Sequence, residues 1–462
     1  MLYFSAPAAI VVAMTHTRWS VAFSLLVAVF VVAPFSYHPL LQLGSVAATH
    51  IDIALLYGIL GSCAVASVPL LWRHRTLVWS HPAWRWLIAF WLYATLSVLW
   101  SANSVRGLLT VGFGWLLVLL VSFIMVKKSQ LVVHASAIER WVRITMAASY
   151  GFALWQLLGD ALHVSTALTL LPAMYSGDVF GVARPTAFAL EPQFFGSLLL
   201  VAYGIWLWRS SMSPNRSTRW WLLITTALLF VTLSRGAILG AVLVTSLIGI
   251  AQWRRSNIHW TKVSTPLLGG ILLGGALIFS AASVRAHSLE AGYQSIRASI
   301  SHLSLGVVTL PPTAPTAHSS VTSSPQVSSY VASSTDSRLS MSALARHIWQ
   351  QSPLFGTGSG SFGARAHTVS PIYPASSIAN NYYLEMLAEV GIVGCILFAG
   401  FVTTLLTYLY RQHQWLLLAL LAGAGLQWCF FSGNANVVHV WLLIGIALAV
   451  SMPAAKKARA LP

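Results

Sequence analysis

Acidic side chains are nearly missing from this chain: Asp and Glu number nine in 462 residues, and all charged residues make up 8%. Soluble domains carry about 25% charged residues. A soluble protein this long with so little polar surface would not stay dissolved, so the bilayer is its expected solvent. The same scarcity argues against a metal cage at the outer face, because hard cations need several carboxylates. HExxH, GxSxG, Walker and DxD patterns are also missing. Cys63, Cys395 and Cys429 lie apart in apolar runs with no CxxC pair, so neither a disulfide framework nor a metal site is expected. The apolar stretch from Met1 to Met14 lacks the basic residue that precedes the apolar run of a cleaved signal. It is expected to be an interfacial lead-in.

What the chain has in abundance is apolar length: 57% hydrophobic residues and a mean hydropathy of +0.75. About 20 apolar residues cross the hydrocarbon core as a helix. Twelve such runs stand near 19–36, 51–72, 84–101, 107–126, 142–162, 188–208, 219–233, 236–253, 266–284, 384–410, 414–431 and 435–453. The expectation is an all-α polytopic membrane helix bundle of about twelve transmembrane helices. Helices one to nine fall in residues 1–284, a large extracytoplasmic loop in 285–380, helices ten to twelve in 381–453 and a tail in 454–462.

The net charge is +17. One set of alternate segments carries 18 Lys and Arg, including Arg73, Arg75, Arg85, Lys127, Lys128, Lys456 and Lys457. The opposite short loops carry three, Arg106, Arg184 and Arg235. Lys and Arg collect on the cytoplasmic side, so both termini are expected in the cytoplasm of a multi-pass plasma-membrane protein. Of the acids only Glu139 lies on the basic side, so the excess charge faces anionic inner-leaflet lipid. Membrane lipid is thus an expected partner, and nucleic acid is not.

On the outer side each charge is informative. Arg184 lies in GVARPTAFALEPQFFG, Arg235 in TLSRG, and Arg338 opens a stretch of helical spacing over 338–351 that leads into SPLFGTGSGSFG. A similar helical stretch covers 285–303. Between them, 307–337 is rich in Ser, Thr and Pro and is expected to be a flexible insert. In NNYYLEMLAEVGIVG, Asn381, Glu385 and Glu389 share one helix face at spacing i, i+4, i+8. Structural readings stand beside the functional ones. Arg235 can simply snorkel to headgroups, and the two glutamates can bond neighbouring helices. Gly358, Gly360 and Gly363 spell GxGxxG without a βαβ context, which excludes dinucleotide binding. They leave either a plain loop or a backbone cradle for an anion.

Three arginines converging at the outer rim would suit a phosphate group, which forked guanidinium donors match. They could hold the diphosphate of a lipid-linked sugar and stabilise its charge as it leaves. Such a leaving group needs no cofactor and no metal; the acceptor hydroxyl needs a base.

These segments resemble the O-antigen ligase/polymerase superfamily of bacterial membrane glycosyltransferases. The similarity lies in Arg184 to Pro192, in TLSRG at 232–236, in PLFGTGSGSF at 353–362 and in NNYYLEMLAEVGIVG at 380–394, with the large outer loop before the last three spans. It implies a GT-C-like bundle acting in surface polysaccharide assembly. The donor would be a polyprenyl-diphosphate-linked glycan and the acceptor a glycan or a lipid-linked glycan. Arg184, Arg235 and Arg338 would bind diphosphate. Asn380, Asn381, Glu385 and His367 would serve the acceptor side. In the ligase branch a His precedes Asn, Ser or Gln, then nine residues and GxxG. Here Asn381, Gly391 and Gly394 match, but Asn380 stands at the His position. An amide cannot act as a general base; Glu385, His367 and Glu191 are the alternatives, and polymerase-like members fit better. A transporter or flippase, and a ligase moving glycan onto protein, remain rival readings.

Overall fold

A computed structural model of the chain describes residues 20–35, 39–46, 49–212, 215–254, 260–304, 324–433 and 437–452. The expected lead-in at 1–14, residues 307–323 of the insert and the tail at 454–462 lie outside them. Each of the twelve apolar runs coincides with a helix. The first nine give α1 Val21–Val32, α2 Leu55–Arg73, α3 Pro82–Ser97, α4 Ser104–Val126, α5 Ala135–Ala161, α6 Pro192–Met212, α7 Arg216–Val231, α8 Arg235–Trp253 and α9 Trp260–Arg285. Then come α10 Leu289–Leu303, α11 Ser324–Gln351 and α12 Phe362–Val369. The last three runs give α13 Tyr382–Arg411, α14 Trp415–Trp428 and α15 Val438–Ser451.

Among the described residues five helices, α2, α4, α8, α9 and α13, are long and apolar enough to cross a membrane. The expected twelve exceed this number because apolarity alone marks a run. α7 has 16 residues, about 24 Å of rise against a core of about 30 Å. α5 opens with Glu139, Arg140 and Arg143. The chain is a membrane protein all the same: Val65 and Leu272, on two of the crossing helices, are 75% and 73% exposed, a display that belongs against lipid.

Two expectations change. The second run begins as a strand: β1 (Pro39–Val46) and β2 (Thr49–Ala54) pair antiparallel, Val46 opposite Thr49, and helix starts only at Leu55. Residues 324–337 of the insert are helical and continuous with 338–351 in α11. α11 packs on α10, α12 and α13, and such tertiary contact sustains a helix that composition alone would not.

α15 lies at the centre. Twelve of its 14 residues are buried, as a helix apolar on all sides requires. α4 runs beside it, α3 packs on α13, α7 on α9 and α8 on α14. Helices in lipid associate through close packing, which favours small residues. A Cβ on Gly240 of α8 would stand 2.9 Å from the Gly423 carbonyl oxygen of α14, and one on Gly423 would stand 3.1 Å from that of Gly240.

Near its N-terminal end α13 is broken at Gly391, whose φ is +62°. The Gly-rich loop inserts there. Thr357 and Gly358 N–H donate to the Ala388 and Glu389 carbonyls (2.9 and 2.8 Å), and Ile392 and Val393 N–H donate to Pro353 and Leu354 (3.0 and 3.1 Å). The loop supplies the partners that the helix loses at its break, so the kink has an identifiable cause. Two stretches singled out in the sequence, 353–362 and 380–394, are thus one interlocked unit.

Candidate functional site

The turn between α7 and α8 builds the first part of the site. Leu233 is left-handed (φ +51°), and Thr232 Oγ1 accepts from the Ser234 N–H at 3.2 Å. This makes Arg235 the first residue of α8. Its Nε donates to the His302 carbonyl of α10 at 2.7 Å, and its Nη2 lies 3.0 Å from His302 Nδ1. Arg184 reaches the same turn, with Nε donating to the Thr232 carbonyl at 3.2 Å and the cation 5.9 Å from the Tyr175 ring centre. Just beyond it, Gln156 of α5 clamps the chain, its Oε1 accepting from the Thr186 and Ala187 N–H at 3.0 and 2.8 Å. Arg338 of α11 donates to the Phe430 carbonyl at 3.0 Å.

The structure therefore brings Arg184, Arg235 and Arg338 together: all three act electrostatically on His302. Arg184 and Arg338 also act on Glu191, which is hydrogen-bonded by Tyr175. Arg184, Arg235 and His302 are 7%, 6% and 3% exposed. Burial, and then the three cations, push the His302 pKa down to about 2. The imidazole is thus neutral, and its Nδ1 accepts from Arg235. It orients the guanidinium without adding charge.

A second group lies at the head of α13. Asn381 caps the helix, its Oδ1 accepting from the Leu384 N–H at 3.1 Å. Asn380 is left-handed (φ +56°), a conformation Asn tolerates. Glu385 accepts from the Ala379 N–H at 2.8 Å, with Ser432 beside its carboxylate. Glu389 accepts from the Gly360 and Phe362 N–H at 2.9 and 3.0 Å. The backbone N–H groups of the Gly-rich loop therefore hold a carboxyl group of the chain itself, that of Glu389. Glu385 and Glu389 line a cavity of about 140 Å³ together with Arg106. His367 does not line it; it is exposed on α12, with Nδ1–H donating to the Tyr373 carbonyl at 2.8 Å. The 427–433 segment joins the two groups, since Phe430 takes Arg338 and Ser432 stands by Glu385.

Sequence reasoning left out Tyr175, His302 and Ser432, and counted Arg106 among the outer bases without assigning it to the site. His302 gives no signal in the chain, being one polar residue of an amphipathic helix. Among the described residues no group of three or more His, Cys, Asp or Glu could hold a metal ion.

Residues 220–399, from α7 into the middle of α13, match the family model described as O-antigen ligase. No curated protein gives a significant match to the chain.

Proposed function

We propose, for a chain that belongs to the O-antigen ligase/polymerase superfamily, the role of a membrane glycosyltransferase that joins polyprenyl-diphosphate-linked glycan units at the outer face of the cytoplasmic membrane. The topology proposed with it is a GT-C-like bundle of about twelve crossings with both termini in the cytoplasm. The observation that carries the reading is the gathering of Arg184, Arg235 and Arg338 around neutral His302. Guanidinium donors held in a largely buried setting stabilise developing phosphate charge far better than they would in water.

In this reading the arginines bind the diphosphate of the donor and stabilise it as the leaving group. The reaction needs no cofactor and no metal. Glu385 is the general base that takes the proton of the acceptor hydroxyl. Asn380 and Asn381 shape the turn that places it, and His367, turned away on α12, has no part. The lack of a His at position 380 favours a polymerase, which extends a lipid-linked acceptor. The test is single alanine replacement of each arginine in cells making the polymer, read as the ladder of glycan lengths. Loss of long chains is expected for each variant; long chains in the Arg235→Ala, Arg338→Ala double variant would overturn the proposal.

A further inference from the structure

A larger cavity than the one beside Glu385, of about 300 Å³, lies towards the other end of α4. The Gly-rich loop meets α4 at Gly107, whereas this cavity meets it at Trp115, Val118, Leu119 and Ser122. Those four share one helix face at spacing i, i+3, i+4, i+7. They extend the cavity about 10 Å along the helix axis, at about 1.5 Å per residue. Val68 and Trp72 of α2 stand on one side and Trp84 of α3 on the other. Both helices pack on α4 with little contact between them, so a lengthwise groove is left open. The short helix Arg75–Trp79, which joins α2 to α3, lies at its end. By the Lys and Arg pattern that end is the cytoplasmic one.

The lining divides by chemistry. Apart from Arg75 and Ser122, every lining group is aliphatic or indole. The Ser122 hydroxyl donates to the Val118 carbonyl at 2.7 Å, and the Trp115 indole N–H to Thr95 Oγ1 at 2.9 Å. Both polar groups are thus met within the chain, which leaves the length of the groove apolar. Charge gathers at the short helix. The Arg75 cation stands 4.9 Å from the Trp72 ring centre, and Arg85 Nε donates to the Trp79 carbonyl at 2.9 Å. Arg73, Arg75 and Arg85 are all exposed, and among the described residues none of them pairs with a carboxylate. Trp72 and Trp79 are 72% and 49% exposed beside them. Exposed indoles with basic side chains mark the level of lipid headgroups. The groove therefore runs as an acyl chain runs within one leaflet, with cations where the headgroup sits. A zwitterionic headgroup would bring an ammonium beside three arginines; an anionic one brings none.

We propose that this groove binds an anionic phospholipid of the cytoplasmic leaflet. One acyl chain lies along Leu119 and Trp115 between α2 and α3. Arg75 bonds the phosphate, and Arg73 and Arg85 add to the attraction. The bound chain fills the gap that α2 and α3 leave over α4. The site holds whether or not the protein transfers glycan.

The experiment is native mass spectrometry of the full chain, delipidated in non-ionic detergent. It is titrated with dioleoyl phosphatidylglycerol or with dioleoyl phosphatidylcholine, and bound lipids are counted. The first phosphatidylglycerol should bind about tenfold tighter than the first phosphatidylcholine, as a cluster of basic side chains requires. Arg75→Gln should lower phosphatidylglycerol affinity about fivefold, the weight of one basic residue at an anionic surface, and leave phosphatidylcholine unchanged. Val68→Trp narrows the groove at a position 51% exposed, where the fold has room for it, and should weaken both lipids. Arg216→Gln, which removes an exposed arginine at the head of α7, should change neither. Equal affinity of the wild-type chain for the two lipids overturns the proposal. So does a phosphatidylglycerol preference that Arg75→Gln leaves intact, or that Arg216→Gln lowers as much. A dimeric mass that Val68→Trp converts to a monomer, with no lipid preference, would make the groove an interface between copies and also overturn it.

Discussion

Two arginine clusters at one end of the bundle differ in how their charge is met. Arg285, at the end of α9, lies 3.0 Å from the Asp160 carboxylate and also pairs with Asp178. The Gly177 N–H donates to both Asp160 oxygens at 3.1 Å, so the cluster ties α5 and α9 to the loop that carries Tyr175 and Arg184. Arg184, Arg235 and Arg338 surround a neutral histidine instead, with Glu191 as the acid that two of them reach. In the first cluster cation and acid satisfy each other, which is architecture. In the second, three cations stand near one neutral imidazole and one carboxyl group. The balance of charge, more than burial, sets the two apart, since Arg184 and Arg235 are 7% and 6% exposed and the Arg285 and Asp160 side chains 11% and 8%.

The largest test is to break the paired cluster. Removing one partner of a buried ion pair typically costs about 3–5 kcal/mol. Arg285 and Asp160 side chains are 11% and 8% exposed, so Arg285→Ala should lower the thermal midpoint strongly. Glycan transfer per folded molecule should change little. A variant that melts normally but transfers nothing would erase the distinction between the clusters. Arg235→Ala is expected to do the opposite. Transfer should fall about 100-fold, near 2.7 kcal/mol of transition-state stabilisation, as measured by initial rates on a lipid-linked donor. Its stability should drop by only about 1–2 kcal/mol, from the bonds lost to His302.

The sequence made some of this legible and hid the rest for physical reasons. The three arginines stood out because charge is sparse on the side that the Lys and Arg pattern marks as outer, so that each one calls for a cause. The helices were visible as apolar runs, and among the described residues five of them are long and apolar enough to cross a membrane. Glu389 was legible as part of a helix face, but its partners Gly360 and Phe362 lie in the loop before it. A carboxylate that backbone N–H groups have already captured reads, in sequence, like one awaiting a substrate. Asn380 and Asn381 carry the same lesson, since a left-handed turn and a helix cap explain both types.

A smaller effect separates His302 from a general base. Its pKa falls from 6.5 to about 2 on folding, through burial and then the three arginines. The unfolded chain therefore binds this proton first on acidification. The stabilisation is present above pH 6.5 and is lost as pH falls, at about 1.4 kcal/mol per unit. Melting curves between pH 7 and about 5 should show this slope, and His302→Gln should flatten it. The same variant should leave the pH profile of glycan transfer with its acid limb in place, because that limb belongs to another group. Loss of the limb would make His302 the base and remove Glu385 from that role.

The smallest test concerns Asn381, which the resemblance puts on the acceptor side and the structure puts at a helix cap. A cap is worth about 1 kcal/mol, and Ser serves nearly as well as Asn. Asn381→Ala should therefore cost about that much in stability, and Asn381→Ser almost nothing. If the residue acts only by holding the turn that places Glu385, transfer should follow the cap: near normal in the serine variant, reduced mainly through kcat in the alanine variant. A serine variant as stable as wild type yet poor in transfer would mean that the amide itself touches substrate. Glu385 would then share the acceptor with Asn381, and the contrast between the two kinds of charge cluster would not extend to the head of α13.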